Sequence, residues 1–199
     1  QKCGIDCNNA TLTVNETSST ANSQCGFIFN NSKASISHCT ASDNVIVGID
    51  STESEITASL TKVTNNGING INVRSGKASL QSMTIDSNKK TNISLIKKSD
   101  VSIENSSFSD SVIGAFVGDS SYAHISQTSF TQLTVGIQCS NCKIDTSQCI
   151  FKKNKTSIIL TESSNVNVQG GSFDGDDLHV EVRNGCTYTS NGTQYTNAS

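Results

Sequence analysis

Residues 44–65 read NVIVGIDSTESEITASLTKVTN, and residues 66–87 read NGINGINVRSGKASLQSMTIDS. Set one above the other, these two stretches of 22 residues align Asn44 with Asn66, Gly48 with Gly70, Ile49 with Ile71, and Val63 with Ile85. The asparagine column extends in both directions. It runs Asn22, Asn44, Asn66, Asn88 in steps of 22, then continues with one-residue slips through Ser111, Leu133, Asn154 and Asp176. Three residues before it stand Ser19, Ala41, Val63, Ile85, Phe108, Phe130, Phe151 and Phe173. Eight before it come Val14, Ile36, Ala58, Leu80, Ile103, Ile125, Thr146 and Val168, and ten before it Leu12, Ala34, Ile56, Ala78, Val101, Ala123, Ile144 and Val166. Five after it lie Phe27, Ile49, Ile71, Ile93 and Phe116. A fixed period of this size marks a stacked-repeat architecture.

Within each copy the apolar residues alternate with Ser, Thr, Asn or Lys, as in Val101-Ser-Ile103 and Val166-Asn-Val168. That is strand periodicity. A leucine-rich repeat of similar length would show a leucine-dense consensus with a helical half, and neither is present. Short strands with β-branched inward positions and polar turns suit coils stacked about 4.8 Å apart, so eight coils make a rod about 38 Å long. Asparagine at each coil's corner tolerates the left-handed backbone a tight turn needs. Its amide can also hydrogen-bond to the amide one coil along.

The ladder Asn22, Asn44, Asn66, Asn88 and Asn154 resembles that of the right-handed parallel β-helix, pectin-lyase-like superfamily, over residues 11 to 183. The expected fold is all-β: a right-handed parallel β-helix solenoid of about eight 22-residue coils with disulfide-stapled ends. Residues 1–10 are then an N-terminal cap, 11–183 the β-helix domain and 184–199 a C-terminal cap or tail. The resemblance also states what an enzyme of this fold would carry. A polygalacturonase would show Asn-Thr-Asp, Asp-Asp, Gly-His-Gly and Arg-Ile-Lys on successive coils, and only Asp176-Asp177 matches, at a position that continues the ladder. A pectate lyase would pair an arginine base with acidic calcium ligands, yet Arg74 and Arg183 lie about five coils apart and no acidic column accompanies Arg74. No catalytic residue, metal site or cofactor is assigned.

Composition narrows the setting. The chain has a net charge of -3 with both signs interspersed, which argues against a nucleic-acid partner, and it contains no proline, in keeping with continuous strand ladders. No long apolar run or leader is present, so no membrane span is expected, and a chain starting at Gln1 without methionine reads as a processed form. Eight cysteines fall in two groups, Cys3, Cys7, Cys25, Cys39 and Cys139, Cys142, Cys149, Cys186, and are expected to form disulfides clamping the two ends. Their connectivity is open. Cys139-x-x-Cys142 lacks the second CxxC or the histidines that would make it zinc-binding. Sequons at Asn9, Asn15, Asn30, Asn92, Asn105, Asn191 and Asn197 are glycosylation candidates. Asn154 also begins a sequon, but its amide is expected to face its ladder neighbours. Together these features point to a secreted, extracellular glycoprotein.

The phenylalanine column from Phe108 to Phe173 shares the period of earlier apolar positions, so it is read as core rather than as a sugar platform. The leading expectation is a non-enzymatic structural or adhesive rod that self-associates through its ends into filaments, with a glycan or cell-surface ligand as a further partner. The alternative is a polysaccharide lyase or hydrolase, or a degenerate sugar-binding relative.

Overall fold

One coil shows the construction. Cys25–Asn30 form a strand, Asn31 and Ser32 turn the chain, Lys33–Ser37 form a second strand, His38 and Cys39 turn it again, and Thr40–Ser42 form a third before the corner at 43–46. The computed structural model describes residues 2–183 and 185–196 and repeats this unit along the chain. Like strands stack in parallel into three sheets. Sheet A has nine described strands, from Cys3–Asn8 to Leu178–Val182; sheet B has ten, from Thr11–Asn15 to Thr193–Thr196; sheet C has eight, from Ser18–Thr20 to Ser172–Asp174. Partners in register stand one repeat apart: Ile49 beside Ile71, Ala78 beside Val101, Phe108 beside Phe130.

The three sheets enclose one interior. Phe27, Ile49, Ile71 and Ile93 from sheet A meet Ile56, Leu80 and Ile103 from sheet B and Val63, Ile85 and Phe108 from sheet C, all fully or almost fully buried. Burying each such side chain contributes about 1.5–3 kcal/mol. No single coil could exclude water from both of its ends, so the stacking makes the core. The aromatic column is interior as expected from Phe108 to Phe151, while Phe173 at its end is only partly buried. Rings of Phe108 and Phe130 meet edge-on at 5.1 Å, Phe130 and Phe151 stack at 5.1 Å, and Phe151 and Phe173 stack at 5.0 Å.

All three corners use one device, of which the asparagine column is a third. At each corner a residue with positive φ is followed by a buried polar residue: Asn31 (47°) then Ser32, His38 (51°) then Cys39, Asp43 (56°) then Asn44. The left-handed residue is therefore the one before the ladder asparagine, such as Asp43 or Asn65, and not the asparagine itself. The buried residue receives a backbone N–H from the coil before it. Asn44 N donates to Asn66 Oδ1 at 3.1 Å, Ser32 N to Ser54 Oγ at 2.9 Å, and Ser106 N to Thr128 Oγ1 at 3.4 Å. The asparagines add a second bond, Nδ2 of Asn22, Asn44 and Asn66 donating to the next Oδ1 at 2.8, 3.0 and 3.0 Å.

Corner length explains the slips. The C-to-A corner holds four residues up to 87–90 and three from 110–112 onward, whereas the A-to-B corner gains a residue at Lys97-Lys98-Ser99, where both lysines have positive φ. The shortening corrects one column. Ala115, not Phe116, stands beside Ile93 in the core, and Phe116 faces outward beside Ser94. The asparagine ladder breaks at the same place, where Ser111 replaces asparagine. Asn92 then occupies the position held elsewhere by Gly26, Gly48 and Gly70 and supplies the missing amide. It accepts from Asn88 Nδ2 at 2.9 Å and from Ser111 Oγ at 2.6 Å, and donates to the Ser109 carbonyl at 3.0 Å.

Two expectations need correction. Residues 3–8 are not outside the solenoid: Cys3–Asn8 pairs in parallel with Cys25–Asn30, because Ile5 and Cys7 give it enough inward surface. Within 184–199, read as a cap or tail, Thr187–Ser190 lies parallel to Asn165–Gln169 in sheet B and Thr193–Thr196 folds back antiparallel on it. The disulfide expectation holds for one pair only. Cys139 and Cys142 are bonded, with Cα atoms 5.7 Å apart, across a single corner, so the bond joins no two coils. Cys3, Cys7, Cys25, Cys39, Cys149 and Cys186 form no disulfide in the structure. Cys39 and Cys149 occupy a corner column held elsewhere by Thr61, Ser106 and Thr128, and Cys142 and Cys186 one held by Ser32, Ser54 and Ser164. A thiol replaces a hydroxyl there: Cys39 Sγ donates to the Ser37 carbonyl at 3.1 Å, as Thr61 Oγ1 does to Ser59 at 2.9 Å.

Candidate functional site

Sheet B presents its odd-ranked side chains to solvent. One outward column runs Lys33, Glu55, Lys77, Asp100, Tyr122 and Lys143, and the next runs Ser35, Thr57, Ser79, Ser102, His124 and Asp145. The first column alternates in charge, and Lys33 Nζ lies 3.3 Å from Glu55. The second is a floor of small hydroxyls. A shallow trough has two sections that share Glu55, Lys77 and Asp100: one of about 680 Å³ on the side of the A-to-B corner, where Ser54 and Gly76 lie, and one of about 360 Å³ over Thr57, Ser79 and Ser102. Gly76 lets the two corners approach there, since a Cβ would stand 2.5 Å from the Ser54 carbonyl.

The trough ends at a polar cluster. Tyr122 Oη donates to Asp145 Oδ2 at 2.8 Å, Lys143 Nζ lies 3.5 Å from the same oxygen and 5.3 Å from the Tyr122 ring centre, and Asn167 Nδ2 donates to Asp145 Oδ1 at 3.4 Å. His124, exposed, stands in register beside Asp145. The hydrogen bond to Asp145, followed by burial and the charges of Asp145 and Asp100, raises the Tyr122 pKa above its ordinary value. Tyr122 is thus kept as a protonated donor held by a carboxylate, with a cation and an imidazole beside it. Groups of this kind can bind hydroxyls and carboxylates and can pass protons. Sequence reasoning missed the cluster. Its trace is Tyr122-Ala-His124 followed 21 residues later by Lys143-Ile-Asp145, outward positions of consecutive coils.

The sequence-level candidates distribute as follows. Asn22, Asn44, Asn66, Asn88 and Asn154 are all buried in one corner column, with Asn154 Nδ2 donating to the Phe130 carbonyl at 3.0 Å. Asp176 continues that column and accepts from Asn154 N at 2.6 Å. Among the glycosylation candidates Asn9, Asn15, Asn105 and Asn191 are exposed, and Asn30 is half-buried. Asn92 is fully buried with its amide committed, which removes it as a candidate in the folded chain. Asn197 lies outside the described residues. No helix is long and apolar enough to cross a membrane among the described residues.

The family model "Right handed beta helix region" matches residues 51–198. No curated protein shows a significant match. Among solved structures, the Azotobacter vinelandii mannuronan C-5 epimerase AlgE6 A-module is similar with a TM-score of 0.66 at 12% identity, over 92% of this chain and 57% of that one. At that identity the likeness extends to the fold, and this chain spans little more than half the length of the module.

Proposed function

We infer, for a chain that belongs to the right-handed β-helix family, that it is a secreted, non-enzymatic rod that binds an extended glycan along the sheet B trough. The observation that carries this reading is the trough itself. Its hydroxyl floor repeats in successive coils from Ser35 to Ser102, about 4.8 Å apart, and its end offers Tyr122, His124, Lys143 and Asp145. Along the walls Lys33, Lys77 and Lys98 balance Glu53, Glu55 and Asp100, which favours a neutral polysaccharide over a polyanion. The exposed sequons support passage through a secretory route. Stacking of rods end to end into filaments remains part of the proposal, tested by electron microscopy of the native protein. Separate short particles alone would count against it.

The trough is tested by co-sedimentation with insoluble neutral glucan and galactan, and with alginate and pectin gels, using the chain and Tyr122→Ala. Retention on a neutral polymer, weakened at least about tenfold by the substitution, is expected from losing a ring contact and a hydrogen bond of about 1.4 kcal/mol together. Equal retention by both proteins would refute the assignment. A second reading, a carbohydrate-active enzyme, is favoured by the Tyr122–Asp145 hydrogen bond beside His124. Release of unsaturated or reducing ends, abolished by Tyr122→Phe, would establish it in place of the first.

A further inference from the structure

Cys3 and Cys25 are the first residues of two neighbouring parallel strands and stand directly in register. Register neighbours across a sheet have Cα atoms about 4.8 Å apart, inside the span of about 4.4–6.8 Å that a disulfide bridges. Both side chains leave the same side of the sheet, the outer one, where Asp50 and Arg74 act on Cys25. The other cysteines are engaged differently. Cys7 points inward at Ser32 Oγ, 3.6 Å away, and Cys39 and Cys149 lie on carbonyls of their own corners. Cys142 and Cys186 have Ser164 between them in the column, so they sit two coils apart.

We propose that Cys3 and Cys25 are a modification site: a dithiol that a disulfide-type oxidant converts into a covalent link between the first two coils of this chain. Half-exposed Cys3 loses its proton and attacks the oxidant's disulfide, forming a mixed disulfide and releasing one thiol. Cys25 then loses its proton and attacks the Cys3 sulfur, releasing the second thiol. Two protein thiols and one small disulfide become one protein disulfide and two small thiols. The order follows from the surroundings. Cys25 is 6% exposed, and burial, with the charges of Asp50 and Cys3, pushes its thiol from 9.0 up to about 11, so it is the slower nucleophile in solution. Once Cys3 carries the leaving group, Cys25 is already in place.

Such a link differs in kind from the Cys139–Cys142 bond. It closes a loop of one whole coil and ties two layers that otherwise rely on ladder hydrogen bonds, as an oxidising compartment permits. The test uses the folded, reduced chain incubated with oxidised glutathione, then denatured, alkylated and cleaved after acidic residues. Asp6 and Glu16 lie between the cysteines, so Cys3, Cys7 and Cys25 fall on separate peptides. The expected product is the Cys3 and Cys25 peptides joined and lighter by two hydrogens than their sum, with Cys7 alkylated and Cys39, which shares the Cys25 peptide, shown alkylated by fragmentation. In Cys25→Ser, checked for unchanged β circular dichroism, Cys3 should be trapped as the glutathione adduct. Full alkylation of Cys3 and Cys25 in the treated native chain, or a link from either to Cys7, would overturn the assignment.

Discussion

At the scale of the residue, a buried amide in this rod does more than fill a turn. Asn66 accepts from Asn44 N and Nδ2 and donates to the Ala41 carbonyl and to Asn88 Oδ1. Asn66→Ala leaves those partners buried and unmet, which should lower stability by about 1–3 kcal/mol or more. The check is the urea midpoint at unchanged slope. Asn92 gives a sharper case. Asn92→Gly restores the residue common in its column yet removes the amide that covers for Ser111, so it should destabilise the chain. Adding Ser111→Asn should recover most of the loss, a coupling that a double-mutant cycle measures directly. The asparagine column was legible because asparagine is conspicuous against apolar neighbours. The equivalent Ser32–Ser54 and Ser106–Thr128 columns escaped because serine and threonine also fill every outward position. Assigning the left-handed conformation to the asparagine was an error of one residue: the corner bends first, and the amide then fills its inside.

At the scale of the element, one strand shows why side chains must be placed by register and not by count. Ile113–Gly118 enters its sheet after a corner one residue shorter than those before it, so Ala115 takes the core and Phe116 the surface. Counting five residues on from Ser111 could not show this, because the corner lost its residue after the ladder position; a step of 22 from Ile93 does reach Ala115. The short strand Ser129–Thr131 obeyed its period, and its Phe130 lies fully buried between Phe108 and Phe151. Phe130→Ala should cost about 3–5 kcal/mol, read by the shift in thermal or denaturant midpoint. On the outer side of sheet B, the strand Tyr122–Ser126 makes a pH-dependent prediction. Tyr122 has a raised pKa because of Asp145, so this contact stabilises the fold fully below pH 10.0 and the benefit is lost as pH rises through the higher folded value. Phenolate absorbance should show Tyr122 ionising above the ordinary tyrosine range, and Asp145→Asn should bring it down. An unchanged titration in that variant would separate Tyr122 from Asp145.

At the scale of the whole molecule, the repeat was readable and the working surface was not. A period repeated many times in several columns overrides the weak preferences of short strands, so parallel stacking followed from spacing alone. The Tyr122, His124, Lys143 and Asp145 cluster occurs once, and a single occurrence has no period to betray it. The cysteines misled for the opposite reason. Grouping near the two ends suggested clamps, whereas four of them, Cys39, Cys142, Cys149 and Cys186, stand where the corner wants a small hydrogen-bonding side chain. The double left-handed corner at Lys97 and Lys98 carries one residue more than its counterpart at Ser75-Gly76, yet Val101 and Ile103 still stand beside Ala78 and Leu80. The architecture has thus already absorbed a length change there without disturbing a single interior neighbour. Foreign peptide grafted between those two lysines should ride on the outside like a flag on a mast, leaving the melting temperature within a few degrees of the parent, about the shift expected from 1 kcal/mol or less.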